Sequence, residues 1–319
     1  MQPVIEDILY PCKFDKSMQP ARFRRADGAE PRPLVVCLHT WSADQTQKSF
    51  DRYAALAADR NWHAIFPNFR GPNWLPDGCG SDLVVSDLED AVAYVKSTCA
   101  VDPARIYLTG GSGGGHCSLL MAGRRPDLWT AVSAWCPISD IALWHQQTRR
   151  HGKGHAVYAD NIEAACGGDP AESAEACKEA LKRSPLTWLP NAVNRLPVDI
   201  GTGIHDGHRG SVPVGQAIRA YNTLAAPADR ISEEDIARIE GEEKIPDHLK
   251  AETGDPAYGS HTVYLRKQSN LVRLTLFEGG HDMIADAAFE WLSRQAAGRT
   301  PDFTPGQPPA VELEANLDR

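Results

Sequence analysis

Three residues able to do chemistry, each beside glycine, stand far apart in the chain. Ser112 lies in Gly110-Gly-Ser112-Gly-Gly-Gly115, Asp206 in Ile204-His-Asp206-Gly207, and His281 in Gly279-Gly-His281. A serine hydroxyl is a poor nucleophile at neutral pH. It needs a base within hydrogen-bond reach and a group that orients that base. In acyl transfer, Ser112 would attack a carbonyl carbon, His281 would move the proton and Asp206 would orient His281. The resulting oxyanion needs two N–H donors. Gly113 offers one. The second is expected from the loop His39-Thr40-Trp41-Ser42, at Trp41 first and Thr40 next.

Other readings of the same residues fit less well. From Gly111 the glycine-rich run places His116 where a dinucleotide loop has its third glycine, and no Gly-Lys-Ser/Thr follows for a phosphate loop. His116 is too near Ser112 in sequence to fold back onto it. Asp199 falls mid-strand, Asp282 adjoins the histidine, and Asp140 ends a strand that some hydrolases use for their acid. Trp74, Thr40 and His208 are candidate substrate contacts, although Trp41 and Trp74 also suit a core and His205 and His208 also suit a surface loop. His39 is expected to brace the oxyanion loop. His145, His151 and His155 match no zinc spacing, so neither metal nor cofactor is expected.

The elements that must position these groups alternate. Arg105–Thr109 reads as a buried strand ahead of Ser112, and 116–122 as a helix after it, which is the context of a nucleophile elbow. Pro33–His39, His63–Pro67, Trp129–Cys136, Pro197–Ile204 and Leu271–Phe277 are further strands, with helices expected near 47–60, 213–225 and 284–297. Ser86-Asp-Leu-Glu89 predicts a capping box opening a helix to about Cys99, with Asp87, Glu89 and Asp90 as solvated first-turn charges. This rhythm means a mostly parallel sheet covered on both faces, with functional groups at the carboxyl ends of its strands. Ser, Asp and His then occur in the chain order of an α/β-hydrolase. Residues 1–300 form one such domain, with a lid-like insertion at about 141–195, a surface excursion at about 226–260 and a loose tail at 301–319.

Composition narrows the partners. The 319 residues carry a net charge of −9, which argues against a nucleic-acid partner. No apolar run is long enough to span a membrane, and the first residues show no signal peptide, although an exported mature form is compatible with this. The compartment and oligomeric state stay open. The 8 cysteines include no C-x-x-C pair. Cys166 and Cys177 could bridge in an exported protein.

Taken together, His39-Thr-Trp-Ser, Asn68-Phe-Arg-Gly, Val101-Asp-Pro-Ala-Arg-Ile-Tyr-Leu-Thr-Gly-Gly-Ser112, Ser184-Pro185, Ile204-His-Asp206-Gly with Val212-Pro213, and Gly279-Gly-His281 resemble the catalytic domain of prolyl oligopeptidase-like (S9-type) α/β-hydrolases. The resemblance covers roughly residues 30–297. It implies a serine hydrolase with a Ser-His-Asp triad. Related stand-alone domains are often esterases, so acetyl or feruloyl esters of plant polysaccharides are the expected substrates, with an S9-type peptidase the alternative and a non-catalytic binding protein on a hydrolase scaffold the third reading. The spacing from Asp206 to Pro213 is longer than usual for the family.

Overall fold

The computed structural model describes residues 4–151, 154–250 and 254–309, together with the backbone of 315 and 316. A short antiparallel pair joins Asp282–Met283 to Ala315–Asn316. The strands of the main sheet are β1 (Glu6–Pro11), β2 (Met18–Arg24), β3 (Arg32–Leu38), β4 (His63–Pro67), β5 (Val101–Gly111), β6 (Ala131–Trp135), β7 (Val198–Gly203), β8 (Val263–Ser269) and β9 (Val272–Phe277). Among the described residues they form one nine-stranded sheet, in the order β1-β2-β4-β3-β5-β6-β7-β9-β8. The run from β4 to β9 is parallel. β1 and β2 add an antiparallel edge on one side and β8 on the other.

β3 shows why the sheet needs helices on both faces. Every residue from Pro33 to Leu38 is buried, as a central parallel strand requires. Leu34, Val36 and Leu38 pack with residues of α2 (Asp82–Thr98), α3 (Gly113–Arg124) and α8 (Gly215–Leu224). Val35 and Cys37, pointing the other way, pack with α1 (Phe50–Asp59) and α10 (Ala285–Ser293). From β3 the chain steps outward to β4 and then returns to β5 on the opposite side of β3. The loops after β3 and β5 therefore diverge, and the crevice between them is where an open parallel sheet binds its ligand.

Between β6 and β7, four helices lie outside this sheet: α4 (Ile141–His151), α5 (Ala156–Cys166), α6 (Ala174–Arg183) and the short α7 (Pro185–Trp188). Ile141, Trp144, Ile162, Ala165 and Ala180 form a separate apolar cluster around Trp41. Cys166 and Cys177 are both free thiols.

Three local expectations are corrected. The helix of residues 82–98 begins one turn earlier than expected: Ser81 is its cap, with Oγ accepting from Val84 N–H. Ser81-Asp82 and Ser86-Asp87 are near-identical cap signals, and the first one acts. Ser86 is consequently mid-helix. Asp87 is buried and takes two hydrogen bonds from Arg70, at 2.6 and 2.8 Å, while Asp90 accepts from Lys13 N–H at 2.7 Å. In the excursion, α9 (Glu233–Glu242) is not merely solvated, because Ile236 and Ile239 are fully buried in the same core as α8. Residues 301–306 do not hang loose. Phe303 stacks on Trp291, Gln295 binds Asp302 through both ends of its amide, and Arg294 donates to Thr304. Residues 310–314 and 317–319 lie outside the described residues.

Candidate active site

Ser112 follows β5 directly and opens α3. Its φ of 57° and ψ of −119° place a non-glycine residue in a costly region of backbone space. The surroundings hold it there. Its N–H donates to Trp135 O on β6 at 2.9 Å, and its carbonyl accepts His116 N–H at 2.8 Å. Only 5% of Ser112 is exposed. Cys136, one residue beyond Trp135, also has a positive φ of 44°. Its Sγ donates to Asp282 O at 3.2 Å. Short links thus connect the serine turn to the histidine loop.

His281 is completely buried. Its Nδ1 lies 2.7 Å from Asp206 Oδ2. Asp206 Oδ1 accepts N–H groups from Gly207 at 3.0 Å and Val212 at 3.2 Å. The carboxylate can only accept, so Nδ1 donates, and in the neutral ring Nε2 carries the bare lone pair. Nε2 is buried and makes no hydrogen bond, to Ser112 or to any other group. Leaving such an atom unpaired costs stability, and a base awaiting a proton is a reason to do so. Burial alone would push the His281 pKa down, but the charge and hydrogen bond of Asp206 outweigh it and hold it well above its ordinary value. A Cβ at Gly210 would meet His281 Cβ at 2.4 Å and Asp206 Oδ1 at 2.5 Å, so only glycine lets this loop close.

The expected oxyanion donors adjoin. A Cβ on Gly113 would lie 2.6 Å from Trp41 N, so the two backbones touch. Thr40 N–H is engaged by Gln47 Oε1 at 2.9 Å, which leaves Trp41 N–H as the available donor. Its peptide is oriented from behind. Thr40 O lies 2.8 Å from His39 Nδ1, and the N–H of the same peptide points the opposite way. His39 Nε2 lies 2.8 Å from Asn68 O, and burial pushes the ring's pKa down. A neutral ring donates to only one of the two carbonyls. Asn73 completes the support: its backbone N–H donates to Trp41 O at 2.8 Å and its side chain at 3.3 Å. Neither Asn73 nor Cys136 was visible as a site residue from sequence, because their partners are brought in only by tertiary folding.

The other candidates have different employment. The Trp41 indole is a core group: its Nε1 donates to Asn161 Oδ1 at 3.1 Å and its ring sits edge-on to Trp144 at 4.8 Å. Trp74 is half-buried beside Asn73. His208 turns to α9, donating from Nε2 to Glu240 O at 2.6 Å. His205 lies between Glu243 and Glu278 at 2.6 and 3.2 Å. His116 is neutral, its pKa pushed down to about 4 by burial, and its Nε2 meets Arg183 O. Asp140 Oδ1 accepts Leu143 N–H, Asp282 Oδ2 accepts Gly280 N–H, and Asp199 pairs with Arg273.

A nine-stranded, largely parallel sheet with a strained serine after its central strand defines an α/β-hydrolase. The model of the prolyl oligopeptidase family matches residues 48–226, more than half of the chain, and the chain belongs to that family. Ser112 and Asp206 fall inside this span and His281 beyond it, so the histidine's assignment rests on its geometry. Among curated proteins, the chain is 24% identical over 205 residues to the acylamino-acid-releasing enzyme of Rattus norvegicus, covering 61% of this chain and 26% of that enzyme. It is 25% identical over 113 residues to poly(3-hydroxyalkanoate) depolymerase C of Paucimonas lemoignei, covering 32% of this chain and 27% of the other. Of the solved structures, Pyrococcus horikoshii acylaminoacyl peptidase superposes with a TM-score of 0.65 at 15% identity, covering 95% of this chain and 43% of that one. That likeness is one of fold. The chain thus spans about a quarter of the curated relatives' length.

Proposed function

We propose that this serine hydrolase is a peptidase that works through an acyl-enzyme on short peptides with a blocked amino end. The observation that carries the chemistry is the buried Asp206–His281 pair, whose Nε2 makes no hydrogen bond and in the neutral ring is free to take a proton, in a chain whose strained Ser112 follows the central strand. In this mechanism Ser112 Oγ attacks the carbonyl carbon as its proton passes to His281 Nε2. The N–H groups of Gly113 and Trp41 hold the oxyanion. His281 then returns the proton to the departing amine, and water, activated by the same ring, frees Ser112. This machinery serves amides and esters alike. The choice of blocked peptides rests on the relatives, which by name release acylated amino acids. Polysaccharide esters have no support among them. Ester cleavage remains a second reading through the likeness to a depolymerase of an ester-linked polymer.

A panel of N-acetyl amino acid p-nitroanilides, free-amine p-nitroanilides and p-nitrophenyl acetate tests the proposal. Turnover of the blocked anilides, lost by about 10⁵-fold or more in Ser112→Ala, is the expected result. Ester turnover with no anilide cleavage would replace the peptidase reading by the ester one. Undiminished activity in Ser112→Ala would end both.

A further inference from the structure

Outside the candidate active site, α4, α5 and the turn leading to α6 bring together His145, Glu163 and Asp169. No sequence spacing reveals this set, because its members come from three separate segments. His145 is 2% exposed. Its Nε2 lies 2.8 Å from Glu163 Oε1, a carboxylate that can only accept, so Nε2 donates. Nδ1 of the neutral ring then has no proton. It is buried and makes no hydrogen bond, and Asp169 Oδ1 faces it at 3.6 Å. In the neutral ring two acceptors then confront each other at a distance too long for a hydrogen bond, with Asp169 Oδ1 held in place by Ala171 N–H at 2.7 Å. Ligands about 2.1 Å from a tetrahedral cation lie roughly 3.4 Å apart.

We infer that His145 Nδ1 and Asp169 Oδ1 bind a divalent transition-metal cation, with Glu163 orienting the imidazole from its other nitrogen. A carboxylate on the far nitrogen of a metal-bound histidine is the usual supporting arrangement. An imidazole nitrogen selects zinc, cobalt or nickel over calcium or magnesium. Glu163 and Asp169 side chains are 32% and 29% exposed, which leaves a path for entry and for water to complete the sphere. Arg149 holds Glu163 and Asp160 at the outer edge. The cation would clasp α4 to the α5–α6 turn, and the neighbouring Trp144 is the ring that abuts Trp41.

The test is binding to the whole chain after stripping with chelator, read by titration calorimetry with Zn²⁺, by the visible absorption of Co²⁺ and by melting temperature. One equivalent is expected to bind with a dissociation constant below about 100 µM and to raise the melting temperature. Asp169→Asn and His145→Ala are each expected to weaken binding at least tenfold, and Asp160→Asn to leave it unchanged. If His145→Ala fails to fold, Asp169→Asn decides alone, since an amide replaces the carboxylate without change of size. Absence of binding in the native chain, or binding undiminished in Asp169→Asn, overturns the site. None of these readouts depends on hydrolysis, so they stand or fall apart from the proposed peptidase activity.

Discussion

Two buried aspartates, Asp199 in β7 and Asp206 in the loop just after it, end up with opposite employments. Asp199 lies mid-strand, 2.7 Å from Arg273 Nε on β9 and 3.1 Å from Ser133 Oγ on β6. Asp206 lies beyond the strand end, 2.7 Å from His281 Nδ1. Both pairs are buried and tightly made. They differ in the cation. Burial works against the charged Arg273, yet Asp199 raises its pKa further, so it stays charged at any working pH. His281 can lose its proton and carries an unused nitrogen. A permanent ion pair between neighbouring strands fastens them together; a titratable one at their rim can take part in a reaction.

The contrast can be broken by exchanging roles. Asp206→Asn should lower kcat/KM by about 10⁴-fold through loss of the histidine's orientation, while the unfolding midpoint in denaturant, read above the folded pKa of His281, changes little. Arg273→Met should do the reverse, leaving Asp199 buried without a counter-charge and costing about 3–5 kcal/mol of stability, with kcat near normal at temperatures where the protein stays folded. If Arg273→Met instead abolished kcat in well-folded protein, the two pairs would not be separable. Replacing both partners, as Asp199→Leu with Arg273→Met, should recover most of that loss, because a buried ion pair is of little net worth against well-packed apolar groups. A chemical denaturation series reads the difference.

The smallest effect is in pH dependence. The His281 pKa is raised in the folded protein, so its pairing stabilises fully below the unfolded histidine value, about 6.5, and is lost as pH rises through the folded value. Catalysis runs the other way, since only the neutral ring accepts a proton. kcat/KM should rise with pH through that folded pKa, and Asp206→Asn should move this limb to lower pH. An acid limb that stays in place would mean that another group controls it.

What the sequence revealed follows the range of the forces involved. The serine turn was legible because its requirement is local: glycines on both sides, a strand before and a helix after. The meeting of Asp206 and His281 was legible because a parallel sheet gathers the loops at its strand ends. Asp87 and Asp90 were misjudged as solvated because Arg70 and the loop at Lys13, which cover them, arrive from elsewhere in the chain. The same holds for Phe303, whose docking place on Trp291 no local pattern announces. Asn73 and Cys136 act through backbone atoms of distant residues, and side-chain type alone gives no hint of such partners.

The packing of Trp41 has a kinetic side. Ser112 is 5% exposed, and the indole of Trp41, whose backbone touches that of Gly113, is packed among residues of α4 and α5. Any motion of α4 and α5 is thereby tied to the residue whose N–H would hold the oxyanion. If opening of this helical cover limits turnover, thicker solvent should slow kcat; a kcat indifferent to viscosity would free the rate from the motion of the cover.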